Sequence, residues 1–170
     1  MSATNESGTS PVRRQGSGGG RARGGVAGRS RIETRARVRA LQALYAWDVR
    51  CSAGAARADL NRVAAEVWDD LAVEPDERRL AARILSLFGD GAEAIDLELA
   101  EVTTNWRLDR LGAIERSVLR LAAAELSGAT APPRVIIQEA VHIAERYGSA
   151  KSAHFVNGVL DALARRSGRL

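Results

Sequence analysis

From residue 32 onward, apolar residues recur at the three- and four-residue spacing of amphipathic helices, and this pattern limits the fold more than any other feature. The segment is rich in Ala, Leu, Arg and Glu, which favour helices. Its one β-branched cluster, Val135–Ile137, follows two prolines and continues into a helical period. The predicted helices cover about 32–50, 58–71, 75–102, 108–126, 132–147 and 151–165. Six helices with short connections predict an all-α, compact helical bundle, with a bend or a close helix crossing near Gly89 and Gly91 in the third helix.

The charge of the chain is concentrated at its N-terminal end. Residues 1–39 hold nine arginines and two glutamates, a net of +7, whereas the whole chain has a net charge of +4. Residues 2–30 consist largely of Ser, Thr, Gly and Arg, with too few apolar side chains to offset the entropy of ordering. We therefore predict a disordered tail over residues 1–30, followed by one domain over 31–170. The tail is either a solvating linker or an Arg/Gly arm that adds phosphate contacts to an RNA complex.

Several function classes are disfavoured by what the sequence lacks. Cys51 is the only cysteine, and the two histidines fall in no metal-binding or nucleophile motif. No apolar run approaches the ~18 residues of a membrane span, and the basic N-terminus lacks the apolar stretch of a signal peptide. We therefore expect a cytoplasmic binding protein without a cofactor, a metal or a membrane partner.

Five segments carry a recognisable pattern. They read RAR and LQALYAW at 35–37 and 41–47, RLDRLGAIERSVLRLA at 107–122, PPRVIIQEAVHIAERYG at 132–148, and KSAHFVNGVLD at 151–161. Together they resemble the NusB family of transcription antitermination factors, over about residues 33–165. Residues 1–30 lie outside this resemblance.

The resemblance implies a fold, a function and partners. NusB-like proteins are all-helical and are built as two three-helix bundles. They bind boxA, a short single-stranded RNA element of ribosomal RNA leaders, together with the small-subunit ribosomal protein NusE. The complex joins RNA polymerase and other Nus factors and suppresses premature termination. The family uses no cofactor and performs no catalysis.

The family's RNA surface combines its Arg-rich first helix with the start of its last helix. Carried over by resemblance, this surface contains Arg35, Arg37, Lys151 and Phe155. Helical spacing adds Arg39 and Gln42 on the flank of the first helix. Arginine and lysine suit phosphates, and an aromatic ring suits base stacking. Phe155 has the alternative role of a core residue, and Lys151 replaces an acidic residue that is often found in relatives.

The family's ribosomal-protein surface maps onto two other residues by resemblance, Tyr45 in the first helix and Glu115 in the fourth. Asp109 and Arg116 lie nearby in sequence. Tyr45 also belongs to an apolar stripe, so packing in the core with its hydroxyl at the edge is the alternative.

Two other functions remain open at this point. The chain is alternatively a protein-interaction or assembly module of ribosomal RNA biogenesis, as a homodimer, with RNA binding secondary. NusB-like domains also precede catalytic domains in ribosomal RNA cytosine methyltransferases. This sequence contains neither an α/β cofactor-binding domain nor a catalytic Cys motif, so we expect no enzyme.

Overall fold

The computed structural model describes residues 21–52, 59–103 and 107–170, and it describes side chains from Ser30 onward. Within these ranges every regular element is helical. The helices are α1 (Arg21–Ser52), α2 (Leu60–Asp70), α3 (Pro75–Val102), α4 (Ala113–Ser127), α5 (Pro133–Tyr147) and α6 (Ser152–Arg166). The predicted all-α fold is confirmed. None of the described helices has both the length and the apolar character that a bilayer span requires.

The first helix begins earlier than the sequence pattern indicates. It starts at Arg21 rather than near Ile32, and the Thr34 hydroxyl donates to the Ser30 carbonyl at 3.1 Å, as within a helix. Once the buried residues further along α1 have nucleated it, a helix extends by one hydrogen bond per residue. Residues 1–20 of the predicted tail lie outside the described residues, so the boundary between tail and domain stays a prediction.

Two glycines determine how the middle helices run. Gly91 has non-helical angles inside α3 (φ −125°, ψ 18°), which confirms the predicted bend. The prediction of one helix over 108–126 is wrong, because Gly112 (ψ 144°) interrupts it. A single 3₁₀ turn, Leu108–Arg110, precedes this break, and α4 begins after it.

The six helices pack as two three-helix sub-bundles that share one core. Helices α1, α2 and α3 contact one another, as do α4, α5 and α6, and the halves meet where α1 and α3 pack on α4. Helix α4 lies at the centre, and its residues 117–119 and 121–126 are all buried. This central position explains why α4 is the most apolar helix and carries few exposed charges.

Buried ion pairs fasten α1 along the length of α4. Arg37 pairs with Glu125 near the end of α4, and Asp48 pairs with Arg116 and Arg120 near its start. The two helices therefore run antiparallel. Arg120 also pairs with Asp96 of α3 through two hydrogen bonds of 2.7 and 2.8 Å, so α3 joins the same network.

Helices α2 and α4 end with an alanine in the left-handed region, a conformation that ordinarily favours glycine. Ala72 has φ 48° and Ala129 has φ 47°. The Val73 and Thr130 N–H groups donate to the carbonyls of Trp68 and Glu125, which is the Schellman pattern of helix termination. Each alanine therefore carries local strain that glycine would relieve.

We predict that Ala129→Gly stabilises the protein by about 1 kcal/mol, because relief of the left-handed strain exceeds the entropy cost of glycine in the unfolded chain. Ala162→Gly is the matched control, since Ala162 is exposed within α6. This control should destabilise by about 1 kcal/mol. Urea unfolding of both variants measures the difference, and equal destabilisation by both would contradict the strain at Ala129.

Candidate nucleic-acid interface

Two arginines on the outer face of α1 share one buried carboxylate. Arg35 Nε lies 2.5 Å and Arg39 Nε 3.2 Å from the oxygens of Glu77, which occupies the first turn of α3. The Glu77 side chain is 5% exposed, whereas that of Arg35 is 55% exposed. One carboxylate balances only one of the two positive charges, so this cluster keeps a net positive charge at the surface.

Gln42 extends the same face of α1. Its carbonyl oxygen accepts a hydrogen bond of 3.2 Å from Arg39 Nη1. This contact orients the amide group and leaves its N–H donors for another acceptor. The Arg35–Arg39–Gln42 face is therefore a row of donors and positive charge, which is the chemistry that binds phosphates.

Arg37 lies in the interior, unlike Arg35. It is 8% exposed, and its Nε and Nη2 donate to the two carboxylate oxygens of Glu125 at 2.8 and 3.0 Å. A Glu139 oxygen lies 3.7 Å from Nη1. Burial alone would lower the pKa of Arg37, but the hydrogen bonds and charge of Glu125 outweigh it and raise the pKa. The guanidinium is held charged and its donors are directed into the protein.

Lys151 and Phe155 line a second feature, a surface groove of about 500 Å³ between the starts of α4 and α6. Lys151 is exposed and occupies the position before the first residue of α6, while Phe155 is half-buried and packs against the core. Its ring therefore contacts the core and also lines the groove, and stacking on a base stays a prediction. Leu111 contributes an apolar side chain to the wall of the groove, and His154 also lines it.

Glu115, predicted to face the protein partner, lines this same groove. Its carboxylate accepts from the hydroxyl of Ser152, the first residue of α6. Burial of the carboxyl would raise the pKa of Glu115, but hydrogen bonds from Ser152 and from backbone N–H groups outweigh it, and the pKa lies below its ordinary value. Glu115 is thus ionised and tied to the residues that border the predicted RNA contacts.

The other three partner candidates lie in different environments. Tyr45 is 40% exposed on α1, beside Val49, which is 44% exposed. Asp109 is exposed and accepts two hydrogen bonds from Arg107, which lower its pKa. Arg116 has a side chain only 12% exposed, and it bonds Asp48 and the Leu111 carbonyl. Arg116 thus stabilises the junction of α1, α4 and the preceding loop.

The structure does not gather the predicted RNA residues into one cluster. Arg37 lies at Glu125, near the end of α4, whereas Lys151 and Phe155 lie at Glu115, near its start. Ten residues of helix separate the two glutamates, a distance of about 15 Å. Arg37 and the groove residues therefore lie toward opposite ends of α4.

Two residues of these clusters were absent from the sequence-based set. Glu77 anchors the arginines of α1, and Ser152 anchors the start of α6. Glu77 reads in sequence as an ordinary acidic residue of a first helical turn, and Ser152 as an ordinary helix start. No local signal separates them, because each acts across a contact between residues distant in sequence.

The described residues contain no group of three or more His, Cys, Asp or Glu side chains arranged to hold a metal ion. Cys51 is half-buried in the last turn of α1. The chemistry that the two clusters offer is therefore hydrogen bonding, positive charge and an aromatic surface.

Comparison with known proteins points to one family. The model of the NusB family matches residues 34–165. The transcription antitermination protein NusB of Anaeromyxobacter dehalogenans is 42% identical over 134 residues, which are 77% of this chain and 89% of that protein.

Two solved structures share the fold. T. maritima NusB superposes with a TM-score of 0.70 and 32% identity, over 78% of this chain and 90% of that chain. A complex of antitermination factors NusB and NusE with double-stranded RNA gives a TM-score of 0.71 and 28% identity, over 80% and 98% of the two chains. The family model spans most of the chain, and the relatives and the six-helix architecture agree with it. The chain therefore belongs to the NusB family.

Proposed function

We propose that this protein binds boxA-type single-stranded RNA together with a small-subunit ribosomal protein of the NusE type, as a transcription antitermination factor. The observation that carries the proposal is the donor-rich Arg35–Arg39–Gln42 face, held by Glu77 and exposed on α1. The solved complex of NusB and NusE with double-stranded RNA supports RNA and a NusE-type protein as the two kinds of partner.

The RNA backbone is the ligand that the α1 face suits best. Arg35 and Arg39 keep one uncompensated positive charge between them, and an RNA phosphate can complete the balance that Glu77 leaves open. Gln42 supplies neutral donors beside them. Arg37 makes no contact with the RNA in this proposal. Its buried pair with Glu125 holds α1, so that Arg35 and Arg39 keep their positions.

The groove at the start of α6 suits a base. Phe155 offers part of an aromatic face, Leu111 an apolar wall and Lys151 a positive charge at the rim. An RNA strand that contacts both the α1 face and the groove has to bridge two sites that share no residue. Such a path favours an extended single strand over a compact ligand.

The partner surface borders the RNA face on α1. Gln42, Tyr45 and Val49 follow the i, i+3, i+7 spacing of one helix face. Tyr45 and Val49 supply exposed apolar surface of the kind enriched at protein interfaces. We infer that the ribosomal protein binds here, with Asp109 at the edge, and that RNA polymerase and other Nus factors join the resulting complex.

The proposed role is binding without catalysis. The groups of both clusters are basic, amide, aromatic and carboxylate side chains, and they match phosphates, bases and protein surface rather than a reacting bond. Support for a cytoplasmic site of action comes from the transcriptional role of the relatives.

The proposal predicts preferential binding of boxA RNA over a scrambled RNA of equal length, with affinity raised by the purified ribosomal protein. Fluorescence anisotropy at moderate salt measures both effects, with a duplex of the same sequence as a third ligand. Equal affinity for boxA and scrambled RNA, with and without the partner, would contradict the proposal. Sedimentation during the RNA titration tests the alternative of a dimeric assembly module. A dimer that persists while RNA binds would exclude a dimer that hides the RNA surface.

A second prediction concerns the α1 face alone. Arg35→Ala should weaken boxA binding about three- to tenfold, because a charge-assisted phosphate contact is lost. The slope of log affinity against log salt should fall by about 0.7. The fold should survive, since Arg39 still balances the buried Glu77 carboxylate.

The matched control is Arg165→Ala on α6. Arg165 is 68% exposed and, like Arg35, pairs with one carboxylate, that of Asp161 at 2.8 Å. This variant should keep the wild-type affinity and salt slope. Equal losses in the two variants would show that any exposed arginine contributes, and would remove the special role of the α1 face.

A further inference from the structure

Ser152, the first residue of α6, is a buried polar residue that none of the predicted contacts includes. It is 2% exposed and lies between the exposed Lys151 and the half-buried Phe155, one turn before the latter. Its hydroxyl donates to the Glu115 carboxylate of α4. Ser152 therefore joins the start of the last helix to the start of the central one.

All the hydrogen-bonding capacity of the Ser152 hydroxyl is used. Its single proton goes to Glu115, so its two lone pairs accept from the Ser149 N–H at 2.7 Å and from the Ser149 hydroxyl at 2.9 Å. A hydroxyl in this position has one orientation rather than three. The turn 148–152 is thereby fixed to α4.

Gly148 makes this arrangement sterically feasible. A Cβ at Gly148 would lie 2.5 Å from the Ser152 Oγ and 2.7 Å from the Ala144 carbonyl oxygen. Only glycine allows the end of α5 to approach the start of α6 so closely. The backbone of the turn is consequently shaped around the Ser152 hydroxyl.

The same turn carries the groove residues. The Lys151 carbonyl accepts the Phe155 N–H at 3.1 Å in the first turn of α6, and both side chains line the groove. A shift of the Ser152 backbone would therefore move Lys151 and Phe155 together. Glu115 is held ionised by the same hydrogen bonds, so the anchor persists over the neutral pH range.

We propose that Ser152, anchored on Glu115, is a positioning residue of the RNA groove, which sets Lys151 and Phe155 in the geometry that accepts a nucleotide. This inference rests on the proposed RNA-binding function. Ser152 itself is buried and touches no RNA.

The test is Ser152→Ala in the full-length protein, assayed by anisotropy with boxA RNA and without the ribosomal partner. We expect a three- to tenfold loss of affinity and a lower salt slope, since the Lys151 contact is misplaced. In addition, Lys151→Ala should weaken binding in the wild-type background but have little further effect in Ser152→Ala. A purely structural role for Ser152 would not remove the contribution of Lys151 in particular.

Two further variants control for charge and for folding. Glu115→Gln keeps an acceptor oxygen and should retain most of the affinity, whereas Glu115→Ala should behave like Ser152→Ala. Ser86→Ala removes another serine hydroxyl bonded to a carboxylate, that of Asp90 at 3.3 Å on α3, and should leave binding unchanged. All assays are run well below the measured unfolding temperature of each variant.

Wild-type affinity, salt slope and Lys151 contribution in Ser152→Ala would overturn the inference while leaving the proposed function intact. Additive effects of Lys151→Ala and Ser152→Ala would overturn it as well. Failure of the wild-type protein to prefer boxA would instead overturn the proposed function, and this inference with it.

Discussion

The buried pair of Arg37 and Glu125 is the interaction on which the placement of the first helix depends. Both side chains are under 10% exposed. Their two parallel hydrogen bonds join α1 to α4 through residues that lie 88 positions apart in sequence. Loss of one partner of such a pair costs about 3–5 kcal/mol, because the other charge is left buried. The Thr130 hydroxyl also donates to Glu125, so the carboxylate is bonded from two sides. Helix α1 therefore has one register against α4, and every residue of its outer face inherits that register.

This constraint separates two arginines that look equivalent in sequence. Arg35 and Arg37 are two residues apart, which on a helix is a rotation of about 200°, so they face opposite sides. Arg37 points into the interior, where it lies beside Glu125 and Glu139. Arg35 lies at the surface, beside Glu77. The RAR pattern at 35–37 thus contains one residue with a structural role and one that we propose binds RNA, and helical geometry alone shows that the two face opposite sides. What geometry could not supply is which of them faces inward, since that depends on Glu125.

The sequence predicted the fold more fully than the site, because neighbouring residues set the helix limits whereas contacts between distant residues set the site. Helix limits follow from local signals such as Pro75 and Gly148, and the predicted limits were correct to within two residues at most ends. The exceptions arose at α1, which extends beyond its packed part, and at Gly112, which breaks a continuous apolar period. Site geometry depends on long-range contacts, and neither the Glu77 anchor nor the Ser152–Glu115 bond leaves a mark in the local pattern. The resemblance named Glu115 and Lys151 for different surfaces, whereas the packing of α4 on α6 puts them in one groove.

We propose that Arg37 keeps the RNA-binding helix in place from the interior, while Arg35 and its neighbours contact the RNA. The most direct measurement is the boxA affinity and salt slope of the double variant Arg37→Met with Glu125→Leu, which replaces the buried pair by apolar side chains and often preserves stability. Thermal unfolding confirms that the variant is folded. We predict an affinity within about twofold of wild type and an unchanged salt slope, since the two apolar side chains pack against each other, keep α1 in place on α4 and remove no phosphate contact. The opposite result is a folded double variant whose affinity falls about tenfold and whose salt slope falls by about 0.7. It would show that Arg37 binds the RNA itself and would contradict a purely structural role for Arg37.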